Sequence, residues 1–201
     1  AFGATPLPFH ILNLLLHCLT SLLVYIFLRR VNLKENISLL SGLIFGLHPI
    51  HLENITFVTL GGTDMLYVFW AMLSLILYVE FRTVEKVKPV HFLYLISSAL
   101  LYFFALLSKE SAVAFILIYP LAELLLGRKG FLFALPHLLI VIALKWSVLF
   151  SGASIAAGSM SQAVGQSKGF EEIIKGFGFF VKSIFFPYPQ SPLIKEFHNV
   201  N

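Results

Sequence analysis

Charged side chains are scarce in this chain, and their scarcity excludes most classes of water-soluble protein. Only 12% of the 201 residues are charged, against about 25% in soluble domains. The apolar set AVILMFWYC makes up 58% of the chain, and the mean hydropathy is +0.89. So few charges cannot cover a water-exposed surface, and the apolar surplus also excludes an intrinsically disordered chain. The composition indicates an integral membrane protein.

Cysteine is almost absent as well, since Cys18 is the only one in the sequence. A single thiol excludes an intrachain disulfide scaffold and a cysteine-based metal finger. The basic residues form short clusters between apolar runs rather than a continuous stripe, so we expect no nucleic-acid partner. The start of the chain lacks an initiator Met and the basic region of a signal peptide, and we expect it to lie inside a longer protein.

The chain contains a series of apolar runs, and several of them are only just long enough to cross a bilayer, which takes roughly 20 residues. One run is short and contains Gly42, Gly46 and Pro49, which predicts a tilted or broken helix. The six predicted spans are Leu7–Leu28, Ile37–Ile50, Met65–Val79, His91–Leu107, Ala112–Leu126 and Phe131–Phe150.

The remaining residues contain one long loop and one further helix. Small and polar residues fill 151–169, which predicts the loop. Glu171–Phe186 could lie in the membrane interface as an amphipathic helix or cross the membrane as a seventh span. The expected fold is therefore all-α: a polytopic transmembrane helix bundle of six spans with a seventh interfacial or spanning helix, in a single domain over 1–201.

Lysine and arginine are distributed unevenly between alternate loops. The loops 29–36, 80–90 and 127–130 hold eight of these residues, whereas 50–63, 108–110 and 151–169 hold only Lys109 and Lys168. The positive-inside rule places the first set in the cytoplasm and the second set, with the N-terminus, on the external or lumenal side.

Three groups of polar residues lie in or beside the predicted spans, where ionisable side chains are costly. In the first, His10, Asn13 and His17 fall on one stripe of the first helix. Interhelical hydrogen bonding is the favoured explanation for Asn13 and His17. His10 lies nearer the external end and is more open to a role in a site.

The second group comprises His48, His51, Glu53 and Asp64, at the predicted external face. Two imidazoles and a carboxylate could hold a metal or act in proton transfer. The spacing matches no zincin pattern, so we assign no metal. A purely structural role for these four residues has the same weight as a functional one. Pro49 would end a helix, His51 and Glu53 would lie in the headgroup layer, and Asp64 would cap the next helix.

The third group is Lys109 and Glu110, in a tight turn at the same predicted face. A lysine there opposes the inside-positive bias and could neutralise a lipid phosphate, with Glu110 orienting it. The alternative is an exposed ion pair between the two neighbours. Glu123 lies near the cytoplasmic end of its run, where it could snorkel or pair with a base.

The order of these motifs resembles the membrane part of protein O-mannosyltransferases. The similarity is greatest to the transmembrane, tetratricopeptide-repeat-containing branch of the C-type glycosyltransferases and runs from about residue 8 to 193. Its motifs are Phe9-His10-x-x-Asn13-x-x-x-His17, Phe45-x-x-His48-Pro49-Ile50-His51-x-Glu53, Gly62-x-Asp64-x-Leu66, Ser108-Lys109-Glu110-Ser111 and Phe185-Phe186-Pro187-Tyr188-Pro189.

The resemblance implies transfer of a sugar, mannose in the family, from a polyprenyl- or dolichyl-phosphate donor to a protein Ser or Thr on the non-cytoplasmic side. It implies a plasma membrane of a prokaryote or an endoplasmic reticulum, with membrane lipid, the lipid-linked sugar and an acceptor protein as partners and no cofactor. The family's catalytic acidic residue would precede Ala1, and its repeat domain would follow Asn201. An Arg of the family pattern is replaced by Gly62.

Under this resemblance the donor-phosphate or acceptor site has a defined set of candidate residues. Two other functions stay open: a transport protein with a cation or proton path along the histidines, and an inactive scaffold remnant. The candidate site residues are Lys109, Glu110, His48, His51, Glu53, Asp64 and His10.

Overall fold

A computed structural model describes residues 6–52, 61–84, 88–128 and 130–150, together with 55, 86 and 178. The described residues form helices and turns, and no β-strand occurs among them. The chain divides into two compact units. The first comprises Ala1–Leu47 and His51–Ala143, and the second comprises His48–Ile50 and Leu144–Asn201.

Helix α1 spans Leu7–Arg30 and ends in a Schellman motif. Asn32 adopts a left-handed backbone with φ of 65°, and its N–H donates to the Arg29 carbonyl at 3.2 Å. The N–H of Leu33 donates to the Leu28 carbonyl at 3.1 Å. These two bonds satisfy carbonyls that the last turn would otherwise leave without partners, so the chain reverses direction here.

Helix α2, Glu35–Leu47, packs closely against α1 through small residues, and a 3₁₀ turn Pro49–His51 follows it. A Cβ atom at Gly42 would lie 3.1 Å from the Ser21 carbonyl oxygen, and one at Gly46 would lie 2.9 Å from Ser21 Oγ. A side chain at either position would crowd Ser21, so the two glycines favour the close approach of the two helices, as is common in membranes.

Helices α3, Gly61–Thr83, and α4, Phe92–Ser108, form the centre of the first unit. A 3₁₀ turn Pro89–His91 precedes α4. Helix α3 packs against both α1 and α4, so one face of it is completely enclosed. The fully buried apolar residues of that face follow helical spacing and are Ala71, Leu75, Tyr78 and Val79.

Beyond α4 the apolar runs do not fold as long α-helices. The 3₁₀ segment Glu110–Leu117 leads into α5, Ile118–Leu125, and the 3₁₀ segment Phe131–Ala134 leads into α6, Leu135–Phe150. Pro120 and Pro136 stand in the first turns of these helices. Proline has no backbone N–H to donate to the carbonyl four residues earlier, so α-helical hydrogen bonding does not extend further back in either segment.

The all-helical prediction is confirmed for the described residues, but the prediction of six spans is not. Three helices among them are long and apolar enough to cross a membrane: Leu7–Arg30, Thr63–Thr83 and Pro89–Ser108. The proline breaks described above and the early end of α2 shorten the other three runs. The predicted seventh helix, 171–186, lies outside the described residues except for position 178, and a single domain over 1–201 stays a prediction.

Candidate functional site

Helix α3 carries an ion pair at each of its ends, and the pair at its first turn contains two predicted site residues. Asp64 lies in that turn, and its carboxylate binds the ammonium of Lys109. Lys109 follows the last residue of α4 in extended backbone and directly precedes the 3₁₀ segment Glu110–Leu117. The Lys109 side chain is 36% exposed and that of Asp64 15%. The pair is thus reachable from outside the fold.

Tyr67 lies one helical turn after Asp64 and was not singled out by sequence reasoning. Side chains on a helix point back toward its N-terminus, so the Tyr67 ring extends toward Asp64. The charges of Asp64 and Lys109 both act on its hydroxyl. The ring contacts Phe115 edge-on, with centroids 6.1 Å apart. The spacing of Asp64 and Tyr67 was the available signal for this residue, because positions three apart are neighbours on a helix surface.

Two ion pairs lie near the other end of α3: Arg30 with Glu80, which is exposed, and Arg82 with Glu123, which is enclosed. Arg82 donates to the Glu123 carboxylate through Nε at 2.5 Å and through Nη2 at 3.0 Å. Tyr78 Oη donates to the same carboxylate at 2.9 Å, and so does the Gly130 backbone N–H at 2.9 Å. Phe133 lies 4.5 Å from the guanidinium carbon. Glu123 is fully buried, so it pairs here as predicted but does not snorkel.

Between the pairs at the two ends of α3 lies a buried polar network. Ser74 Oγ donates to the Ser98 carbonyl at 2.6 Å, and Ser98 Oγ donates to the Ser74 carbonyl at 2.7 Å, so α3 and α4 are bonded reciprocally. Tyr119 Oη lies 2.6 Å from Ser74 Oγ, and His137 Nε2 lies 2.8 Å from Ser98 Oγ. Such paired groups hold a fold together, since burying them without partners is costly.

His17 is a packing residue in this structure. Its Nε2 donates to the Gly46 carbonyl oxygen at 2.9 Å, because a carbonyl can only accept. The bond joins α1 to α2, which confirms the predicted interhelical role. The imidazole also packs against the rings of Phe45 and His51, with centroids 5.6 and 5.2 Å away. Asn13, on the same stripe, is buried as well.

The other predicted site residues belong to several different elements. His10 is half-buried on α1, and Glu110 is exposed at the start of its 3₁₀ segment. His51 belongs to the first unit, whereas His48 belongs to the second, where its Nδ1 accepts a hydrogen bond from the Ile50 backbone N–H at 3.2 Å. Glu53 lies outside the described residues.

Metal ligation has no support from the part of the chain that the structure describes, which contains no group of three or more His, Cys, Asp or Glu able to hold an ion. An apolar groove of about 300 Å³ lies on the first unit. Its lining comes from α3 and α4 and consists of Trp70, Phe104, Leu107 and Ser108, the last of which directly precedes Lys109.

The fold and the site define a helical chain with long apolar helices and an accessible Lys–Asp pair at one end of the central helix. Comparison with known proteins adds the class. The chain is 31% identical over 129 residues to protein O-mannosyl-transferase Tmtc2 of Drosophila melanogaster, and 30% identical over 132 residues to protein O-mannosyl-transferase Tmtc1 of the same organism. These matches cover 64% and 65% of this chain but 14% and 15% of the two proteins.

The two similarities support a related glycosyltransferase family, and with the apolar helices they fit a membrane protein. No family model matches the chain. No solved structure matches it either. The chain spans only a small part of the relatives it matches, so their activity does not transfer to it directly.

Proposed function

We propose that this chain is part of the membrane portion of a protein glycosyltransferase that uses a lipid-phosphate sugar. The donor is a polyprenyl- or dolichyl-phosphate sugar, with mannose as the sugar, and the acceptor is a protein Ser or Thr hydroxyl on the non-cytoplasmic side. The similarity to two O-mannosyl-transferases supports the reaction class. The observation that carries the proposal is the accessible pair of Lys109 and Asp64.

The accessibility of this pair matters because a ligand must be able to compete for the ammonium. Half-exposed ion pairs contribute only about 0–1 kcal/mol to stability, so their partners exchange readily. A lipid phosphate that enters the site replaces Asp64 as the partner of Lys109. The apolar groove beside Ser108 supports this reading, since it offers apolar surface next to the charge for the lipid part of the donor.

The reaction requires a base for the acceptor and a cation for the leaving group. The acceptor oxygen bonds to the anomeric carbon, the bond from that carbon to the phosphate oxygen breaks, and the lipid phosphate leaves with the electron pair. The hydroxyl proton passes to a base. We assign stabilisation of the leaving phosphate to Lys109, and we assign the base to no residue of 1–201.

The proposal includes the finer architecture expected from the sequence. The chain belongs to a C-type transmembrane helix bundle, in a prokaryotic plasma membrane or an endoplasmic reticulum. Its N-terminal end and Lys109 lie outside the cytoplasm. Roles of His10, His48, His51, Glu53 and Glu110 in orienting donor or acceptor, expected from the sequence, are part of the proposal.

Binding of a short polyprenyl phosphate tests the proposal without knowledge of the acceptor. The full-length protein that carries this chain is purified in detergent, and binding of farnesyl phosphate is compared with binding of farnesol, which lacks the phosphate. Lys109→Gln should weaken farnesyl phosphate binding about ten- to a hundredfold, the value of one hydrogen bond to a charged group. Lys109→Arg should keep part of the affinity, because the charge remains with a different geometry.

Two controls make the result specific to the site. Lys34→Gln removes another exposed lysine and should leave the affinity for farnesyl phosphate unchanged. Farnesol should bind the native protein and Lys109→Gln equally. Equal affinities of the native protein and Lys109→Gln for farnesyl phosphate would remove Lys109 from the site and leave it as part of an interfacial turn.

A further inference from the structure

Tyr67 lies three residues after Asp64 on α3, and its ring packs against the segment that follows Lys109. It is half-buried on α3, and its ring is held by the edge-on contact with Phe115. Phe115 belongs to the 3₁₀ segment that follows Lys109. The Tyr67 ring therefore joins the helix that carries Asp64 to the segment next to Lys109. Among the described residues its hydroxyl makes no hydrogen bond, although both charges act on it.

A ligand that binds the Lys109 ammonium leaves the Asp64 carboxylate without its cation. The Asp64 side chain is 15% exposed, so water reaches only part of its carboxylate. A partly buried carboxylate that loses its partner is destabilised, and this cost is subtracted from the affinity for the ligand. A second hydrogen-bond donor to the Asp64 carboxylate would reduce this loss of affinity.

We propose that Tyr67 is this donor, and that Asp64 exchanges the Lys109 ammonium for the Tyr67 hydroxyl when a phosphate ester binds. The inference rests on the proposed function, because it assumes that Lys109 receives the phosphate. Tyr67 is a positioning residue in this scheme: it acts through Asp64 and does not contact the ligand. The phosphate, as the headgroup of a lipid or as a free ion, thus binds Lys109 after the Asp64 carboxylate has exchanged the ammonium for the neutral Tyr67 hydroxyl.

A double-mutant cycle in farnesyl phosphate binding tests this exchange, with the full-length protein in detergent. Tyr67→Phe keeps the ring that contacts Phe115 and removes only the hydroxyl. It should weaken farnesyl phosphate binding about tenfold, as expected for loss of one hydrogen bond to a carboxylate. In an Asp64→Ala background no carboxylate needs a donor, so Tyr67→Phe should then have no effect. Tyr94→Phe removes an exposed hydroxyl on α4 and serves as the matched control.

The outcomes separate this inference from the proposed function. A tenfold effect of Tyr67→Phe in both backgrounds would mean that the hydroxyl contacts the phosphate directly, which overturns the exchange. No effect of Tyr67→Phe in the native background also overturns it, while Lys109→Gln still reports on the site. Farnesyl phosphate binding that is insensitive to Lys109→Gln overturns the proposed function and this inference together. Inorganic phosphate as a competitor shows whether the headgroup alone drives the exchange.

Discussion

The two ends of α3 carry the same kind of interaction in opposite environments. Arg82 and Glu123 pair where the carboxylate is fully buried and accepts four hydrogen bonds, from Tyr78, from two guanidinium nitrogens and from the Gly130 backbone. Lys109 and Asp64 pair where the lysine side chain is 36% exposed. The first carboxylate has no accessible oxygen left for a ligand, and the second pair is open to one.

This difference separates a structural ion pair from a candidate site more clearly than charge or sequence position does. Asp64 and Arg82 are 18 residues apart on one helix, about 27 Å along its axis. That distance is close to the roughly 30 Å of a hydrocarbon core, so the two pairs mark opposite membrane faces if α3 spans a bilayer. Of these two pairs, the one at Asp64 has the exposure that exchange with a ligand requires, whereas the Arg30–Glu80 pair between α1 and α3 is also exposed but has no predicted site residue.

The largest expected effect is an all-or-none difference in thiol labelling between positions near the two ends of α3. Single cysteines at Ser111 and Thr83, both exposed positions, are compared after Cys18 has been replaced to clear the background. In sealed cells or vesicles of known orientation, an impermeant thiol reagent on the non-cytoplasmic side should label position 111 and not position 83. Labelling of 83 alone would invert the orientation, and labelling of both would show that α3 does not separate two compartments.

The next effect concerns stability. Glu123→Gln leaves the Arg82 guanidinium without a buried counter-charge, and breaking one partner of a buried pair typically costs about 3–5 kcal/mol. Asp64→Asn acts on the half-exposed pair and should cost about 1 kcal/mol or less. Thermal unfolding of the full-length protein in one detergent measures both changes. Equal losses of stability would mean that the two ends do not differ in the way their burial indicates.

Much of the helical framework follows from hydropathy, because the long runs are continuous. The run Met65–Val79 predicts α3, which extends in both directions to Gly61–Thr83. The run Ala112–Leu126 predicts one span, but the structure has a 3₁₀ segment followed by a short helix. Pro120 was the available signal for that break. The prediction of a single span followed the average hydropathy of the run instead.

The candidate site was less predictable, since its pairs join residues far apart in sequence. Asp64 and Lys109 are 45 positions apart. Loop counting placed both near one membrane face, but it could not show that they touch, and it suggested Glu110 as the partner of Lys109. In the same way Glu123 was expected to pair with a nearby base, and the base is Arg82 from α3, 41 positions away. Such pairings depend on helix packing, which a single sequence does not specify.

The smallest expected effect is a difference in stability between variants of two tyrosines of α3, Tyr78 and Tyr67, each near one of the two carboxylates. Tyr78 Oη donates to buried Glu123 at 2.9 Å, whereas the Tyr67 hydroxyl makes no hydrogen bond among the described residues while Lys109 holds Asp64. Tyr78→Phe should therefore lower stability by about 1.5–3 kcal/mol, the value of a hydrogen bond to a charged group. Tyr67→Phe should leave the stability of the ligand-free protein within about 0.5 kcal/mol of native, as is usual away from buried networks. Both variants keep their rings, so thermal unfolding in detergent reports the hydroxyls alone. A stability loss for Tyr67→Phe as large as that for Tyr78→Phe would assign Tyr67 to the resting fold and remove the basis for its exchange with Lys109.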